Sequence, residues 1–127
     1  KEDRARVEVS DGDALVRGDA TLLGTMVANA IANGLKFGRV VTTAVLLLDD
    51  VAVLHVDDDG PGVDAAERER AFEPFFRSGD ALRRRVPGHG LGLALIRHIA
   101  ETHGGTAALV DKPTRGARLE VRLPRHA

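Results

Sequence analysis

The chain has 127 residues and a mass of 13.5 kDa, the size of one domain on the usual scale of ~100–200 residues. Its 18 basic and 19 acidic side chains leave a formal net charge of −1, so it lacks the basic excess of a general nucleic-acid or membrane-surface binder. It has no cysteine, which excludes disulfides, thiolate metal sites and cysteine nucleophiles, and no apolar run approaches the ~18 residues of a membrane span.

In chain order, Val7–Val9 and Ala14–Val16 are short apolar runs around Asp11-Gly12, which predicts a hairpin. Asp19 precedes a periodic stretch and is placed to cap a helix over residues 20–37. In that helix Leu23, Met26, Val27, Ala30 and Ile31 share one side, the side expected to face the core. Residues 40–48 and 51–56 are rich in apolar and β-branched side chains and read as strands joined by a two-residue turn at Asp49-Asp50. A Gly/Pro-rich loop over 57–62 follows, then a short helix over 64–71 capped by Asp64. Residues 78–89 are polar and basic without periodicity. Helical spacing returns over 91–103 and is stopped by Gly104-Gly105. Two closing strands are expected at 106–110 and 117–123. Strands joined mostly by hairpins, with helices between pairs, give an α+β class: a two-layer sandwich, with helices on one face of a mixed sheet. No leader is read at Lys1. The charged start without an initiator methionine reads as one domain, residues 1–127, taken from a longer protein.

Glycine is enriched, 14 of 127 against a usual ~7%, and three of the four phenylalanines fall at 72, 75 and 76. Four segments gather the chemistry. On the first helix Asn29, Asn33 and Lys36 project within about 60° of one another. Amide oxygens are hard neutral ligands suited to Mg²⁺ shared with phosphates, and a lysine one turn on meets phosphate as a point charge. A polar border on an amphipathic helix would use the same residues. Asn33-Gly34, two poor helix formers, has little purpose in such a helix. In Asp57-Asp58-Asp59-Gly60-Pro61-Gly62 a carboxylate at a strand end can accept from an exocyclic amine, and the glycines let backbone approach a flat ligand. An ordinary acidic turn is the alternative. Phe72-Glu73-Pro74-Phe75-Phe76-Arg77 is suited to anchoring a mobile segment or a partner, and equally to filling the core. Gly88-His89-Gly90-Leu91-Gly92-Leu93 opens a helix whose unpaired amides can hold phosphate. It matches neither the Rossmann nor the P-loop spacing. His98 and His103 lie ~140° apart around their helix and cannot share a metal.

The order of these segments is the specific signal: an Asn-x-x-x-Asn helix, a D-x-G-x-G loop, F-x-P-F-F, then G-x-G-L-G-L. Over nearly its whole length the chain resembles the catalytic ATP-binding domain of sensor histidine kinases, in the superfamily that includes gyrase, Hsp90 and MutL. The resemblance implies the Bergerat-type ATP-binding fold, with ATP and Mg²⁺ as cofactors. By it, Asn33 coordinates Mg²⁺, Asn29 and Lys36 act at the phosphates, and Asp58 binds the adenine amine. Gly60 and Gly62 shape the base pocket, and Val63 and Phe37 are counted among the nucleotide-binding residues. Phe72, Phe75 and Phe76 form an aromatic box next to a lid over about 78–89, with Gly88, Gly90 and Gly92 at its hinge and phosphate end and Arg77, His89, Leu91 and Leu93 among the nucleotide-binding residues. ATP-hydrolysing relatives place a glutamate one turn before the magnesium asparagine, as a base for water. Asn29 occupies that position, which points to phosphoryl transfer, a reaction that rests on positioning and charge neutralisation.

Three positions depart from the family pattern. Phe37 replaces the usual tyrosine, Ala32 a polar residue before the magnesium asparagine, and Ala117 the hydroxyl residue after Gly116. The implied acceptor is a histidine on a separate helical dimerisation domain, with a response regulator downstream. The setting implied is cytoplasmic, in a parent kinase either soluble or membrane-anchored. This piece is expected to be a monomer without nucleic-acid or direct membrane contacts. A nucleotide-binding regulatory module without transfer activity and an anti-sigma-factor serine kinase are the competing readings.

Overall fold

The computed structural model describes residues 4–9, 16–76 and 92–125. The expected lid over 78–89, the arginines at 83–85, and Arg77, Gly88, His89, Gly90 and Leu91 lie outside them.

Helix α1 spans Ala20–Phe37, as its periodicity requires. Asp19 caps it, its Oδ1 accepting from Leu22 N at 3.0 Å, which satisfies one orphan donor of the first turn. Met26, Ala30 and Gly34 form its buried stripe, four residues apart on one face. Leu23, Val27, Ile31 and Leu35 flank that stripe half-buried. Gly34 owes its place to packing. A Cβ there would lie 2.8 Å from Val41 Cγ2, so glycine lets the helix sit close on the sheet.

Among the described residues the strands are β1 (Arg4–Val9), β2 (Val40–Leu48), β3 (Val51–Asp58), β4 (Thr106–Val110) and β5 (Arg118–Pro124). They lie in the order β1-β2-β3-β5-β4. β1 runs parallel to β2, and every other pairing is antiparallel, so the sheet is mixed. Of the hairpin expected between 7–9 and 14–16, residues 10–15 lie outside the described residues. β1 takes its partner from beyond α1, and Val16 is not in a strand. Parallel neighbours need a crossover, and α1 supplies it. The β2–β3 turn falls at Asp49-Asp50 as expected, with Asp49 at φ 46, a region that Asp tolerates.

The segment over 64–71 is not one helix. It forms two single 3₁₀ turns, Ala65–Glu67 and Arg70–Phe72. The Asp64 side chain makes no cap bond; its carbonyl accepts from Glu67 N instead. Two tight turns in place of one helix leave Phe72 pointing into the core, 5% exposed.

Helix α2 spans Gly92–Thr102. Gly104, at φ 79, ends it. Gly105 N donates to Ala100 O and Gly104 N to Glu101 O, the paired bonds of a Schellman stop. The His103 ring ties this end of α2 to the start of α1. Its Nδ1 lies 2.8 Å from Ile99 O, and a carbonyl can only accept, so Nδ1 carries the proton. Nε2 then accepts from Asp19 N at 3.1 Å.

Both helices pack on one sheet face, around Met26, Ala30, Val41, Val56, Phe72, Ile96, Ile99, Ala100, Ala107, Leu119 and Val121. The opposite face carries Asp57 paired with Arg118 and His55 paired with Glu120, since side chains alternate along strands. Ile96 is fully buried between the layers. Ile96→Ala should lower stability by ~2–5 kcal/mol, or about 10 °C in thermal midpoint. A circular-dichroism melt checks this.

Candidate functional site

The site grows from the end of β3, where the ladder runs two residues further than the sequence predicts. Asp57 pairs with Thr42 and Asp58 with Val41. Asp58 is therefore the last strand residue, and its side chain falls on the helix-facing side with Val56. It is 7% exposed. Its Oδ1 accepts from Gly60 N at 2.9 Å and Ala117 N at 3.3 Å. Burial raises its pKa above the usual carboxylate range, because low dielectric disfavours the charged form. The Gly60 and Ala117 amides and the Lys112 charge act against that rise.

Asp59, its neighbour, has a different task. Its Oδ1 accepts from Val40 N at 3.1 Å and Arg39 N at 2.8 Å, and these amides hold its pKa below the usual range. It pins the loop to the start of β2. Gly60 then runs so close to the end of α1 that a Cβ would lie 2.7 Å from Phe37 O. Phe37 itself is half-buried.

The β4–β5 loop closes the other side. Asp58 N donates to Ala117 O at 3.0 Å. Gly116, at φ 122, brings its backbone against Asp58. Lys112 Nζ donates to Asp58 O at 2.6 Å and Arg115 Nε to Gly60 O at 3.0 Å. Lys112, Arg115 and the pinning role of Asp59 escaped the sequence reading. Contacts 54 and 55 residues apart in the chain leave no local signal, although two cations flanking Gly116 are a faint one.

The first helix brings its amides to this place. Gly34 approaches Asp58 Cβ, with 3.7 Å between it and a Cβ built on the glycine. Asn33, one residue earlier, is half-buried. Its Oδ1 lies 3.9 Å from a Cβ built on Gly92, the first residue of α2. Asn29 is one turn back, and its Nδ2 donates to Thr25 O at 2.9 Å. That bond uses one of the two amide N–H donors and orients the group, with Oδ1 as its acceptor. Lys36 is exposed. Leu93 packs against the core.

The expected aromatic cluster splits. Phe72 is a core ring, with the Arg97 guanidinium 3.8 Å from its centroid. Arg97 also donates to Ala107 O and pairs with Glu69. Phe76 is half-buried, with Arg70 4.8 Å over its ring. Phe75 is 70% exposed at φ 67. Gly62, at φ 82, faces Gly116 O, and Val63 O accepts from Arg68 Nε. Two half-buried amides, a buried carboxylate and the start of α2 thus meet at one end of the sandwich.

Among the described residues no group of three or more His, Cys, Asp or Glu side chains is placed to hold a metal ion. Asn33 and Asn29 present neutral amide side chains on this stretch of α1. That donor set fits Mg²⁺, which keeps waters and completes its shell with ligand phosphates. No helix among the described residues is long and apolar enough to cross a membrane.

Comparison with known proteins agrees with this fold. The chain is 44% identical over 111 residues to the sensor histidine kinase GtrS of Pseudomonas aeruginosa, a match covering 85% of the chain and 22% of GtrS. Among solved structures it is similar to the mycobacterial sensor histidine kinase MprB, at TM-score 0.81 and 31% identity, covering 96% of this chain and 83% of that one. It is also similar to full-length ShkA in complex with AMPPNP, at TM-score 0.83 and 25% identity, covering 98% of this chain and 26% of that one. The chain spans less than a third of the curated relatives it matches. The profile described as histidine kinase-, DNA gyrase B- and HSP90-like ATPase matches residues 18–127, and the chain belongs to that family.

Proposed function

We propose that residues 1–127 form one ATP-binding catalytic domain of a two-component sensor histidine kinase. It would present the γ-phosphate of ATP to a histidine on a helical dimerisation domain, with a response regulator downstream. The observation that carries the reading is the Asp58 carboxylate. It is buried at a strand end, oriented by the Gly60 and Ala117 amides, and close to the Asn29–Lys36 stretch of α1. The family match and the sensor kinases among its relatives support it.

In this reading the Asp58 carboxylate accepts the exocyclic amine of adenine, and the Gly60–Val63 backbone and Phe37 bound the base. Asn33 would hold Mg²⁺ by its amide oxygen, with Asn29 and Lys36 beside the phosphates, Lys36 as a point charge; a bound ion there would neutralise phosphate charge. Gly92 and Leu93 open α2 toward the phosphates, where free amides favour anions. Phe72 acts from the core, anchoring the segment that precedes the expected lid over about 78–89. Positioning and charge neutralisation are what phosphoryl transfer asks of such a site. The domain works as a cytoplasmic monomer, without nucleic-acid or direct membrane contacts.

Calorimetric titration with a non-hydrolysable ATP analogue, with and without Mg²⁺, tests the reading. One-to-one, magnesium-dependent binding is expected, followed by transfer to a histidine-bearing helical domain mixed with the chain. Absence of binding at millimolar nucleotide overturns it. Asn33→Ala should weaken binding about tenfold in Mg²⁺, the scale of one lost ligand interaction, and change it little in excess chelator. An unchanged magnesium requirement removes Asn33 as the ligand.

A further inference from the structure

Asp58 ends β3, and β5 begins opposite Asp57. The carbonyl of Asp58 therefore points past the last ladder pair of β5, toward the β4–β5 loop. Lys112 Nζ caps it at 2.6 Å and is itself held by Arg115 O at 3.0 Å. Arg115 Nε caps Gly60 O, two residues on, at 3.0 Å. Ala117 contributes backbone bonds to Asp58 and no side-chain donor. The two ends of the Asp58–Gly60 turn are thus strapped by two cations from one loop.

We propose that Lys112 is a positioning residue for base selection: it fixes the Asp58 peptide so that the carboxylate stays aimed at the exocyclic amine of the base, with Arg115 as the second strap. This rests on the reading of the site as an ATP site. A hydrogen bond from an ammonium is stronger than one between neutral groups, so the peptide it holds is fixed better than a loop peptide facing water. The Lys112 charge also offsets part of the burial that favours protonation of Asp58.

The absence of cysteine permits a direct test on the full chain. Lys112→Cys removes the ammonium, and alkylation of that single thiol with 2-bromoethylamine restores it at nearly the same length. ATP and inosine triphosphate, which has a carbonyl in place of the amine, are titrated against each form, with thermal melts alongside. ATP affinity is expected to fall about tenfold in the variant, inosine triphosphate affinity to stay within about twofold, and alkylation to restore the ratio. If the cysteine variant does not fold, Lys112→Met keeps the stem and gives the same ratio. A ratio unchanged in the variants, or equal losses for both nucleotides, overturns the positioning role. A wild-type chain that binds neither nucleotide overturns the reading of the site, and the strap with it.

Discussion

Asp58→Asn should abolish measurable ATP binding while the chain stays folded. Asparagine can keep the Oδ1 bonds to Gly60 N and Ala117 N. It then presents an amide N–H₂ where a base amine must be accepted, so two donors face each other. Losing a charged acceptor costs ~1.5–3 kcal/mol, and a buried unsatisfied donor adds ~1–3 kcal/mol. Affinity therefore drops by at least about two orders of magnitude. The fold tolerates the change because burial raises the Asp58 pKa. A raised folded pKa means the folded state holds the proton more tightly than the unfolded state, so ionisation works against folding as pH rises. A neutral amide is free of that penalty. The same shift sets the pH dependence of the wild type. Nucleotide affinity should decline on acidification through the raised Asp58 value, above the ordinary aspartate range. Calorimetry from neutral to acidic pH, with a melt at each step, checks both. Wild-type affinity in the asparagine variant would remove Asp58 as the adenine acceptor.

What could be read before the structure was local. Asp19, the four-residue stripe of α1 and the Gly104 stop each act within a few residues, and both helices fall within a residue of their expected bounds. The pairing of β1 with β2 was not legible, because it reaches across α1. The segment over 64–71 misled because it has helical composition but no cap at Asp64. Two short turns then bring Phe72 under Arg97, a contact with α2 that no spacing in the first half announces. The site divides in the same way. Asp58 was visible in its D-x-G-x-G frame. Gly34 was visible as an anomaly, but its cause is the close approach to Val41. Lys112 and Arg115 sit in a loop whose importance exists only once β5 lies beside β3.

Gly116→Ala should damage both the fold and the site, whereas Gly24→Ala should strengthen the fold. At Gly116 φ is 122, and an added Cβ would lie 1.8 Å from Asp58 O and 2.8 Å from Asp58 C. These are backbone atoms of a strand end, so no side chain can swing aside. The β4–β5 loop must back away from β3, and the paired bonds between Asp58 and Ala117 open with it. Backbone strain and overpacking of this kind cost ~3 kcal/mol or more together, or about 10 °C in melting midpoint for a domain this size. Gly24 lies exposed inside α1 with nothing within 4 Å of an added Cβ. Alanine there removes backbone freedom from the unfolded chain and should add ~0.5–1 kcal/mol. The pair separates geometry from composition, since the same methyl is added in both. If Gly116→Ala melts like wild type, the close approach of the two loops is not what holds Asp58. If it melts low but binds ATP normally, Asp58 does not depend on Ala117 for its aim. Loss of both together, with Gly24→Ala binding as wild type, is the outcome expected if the close approach of Gly116 to Asp58 holds the carboxylate.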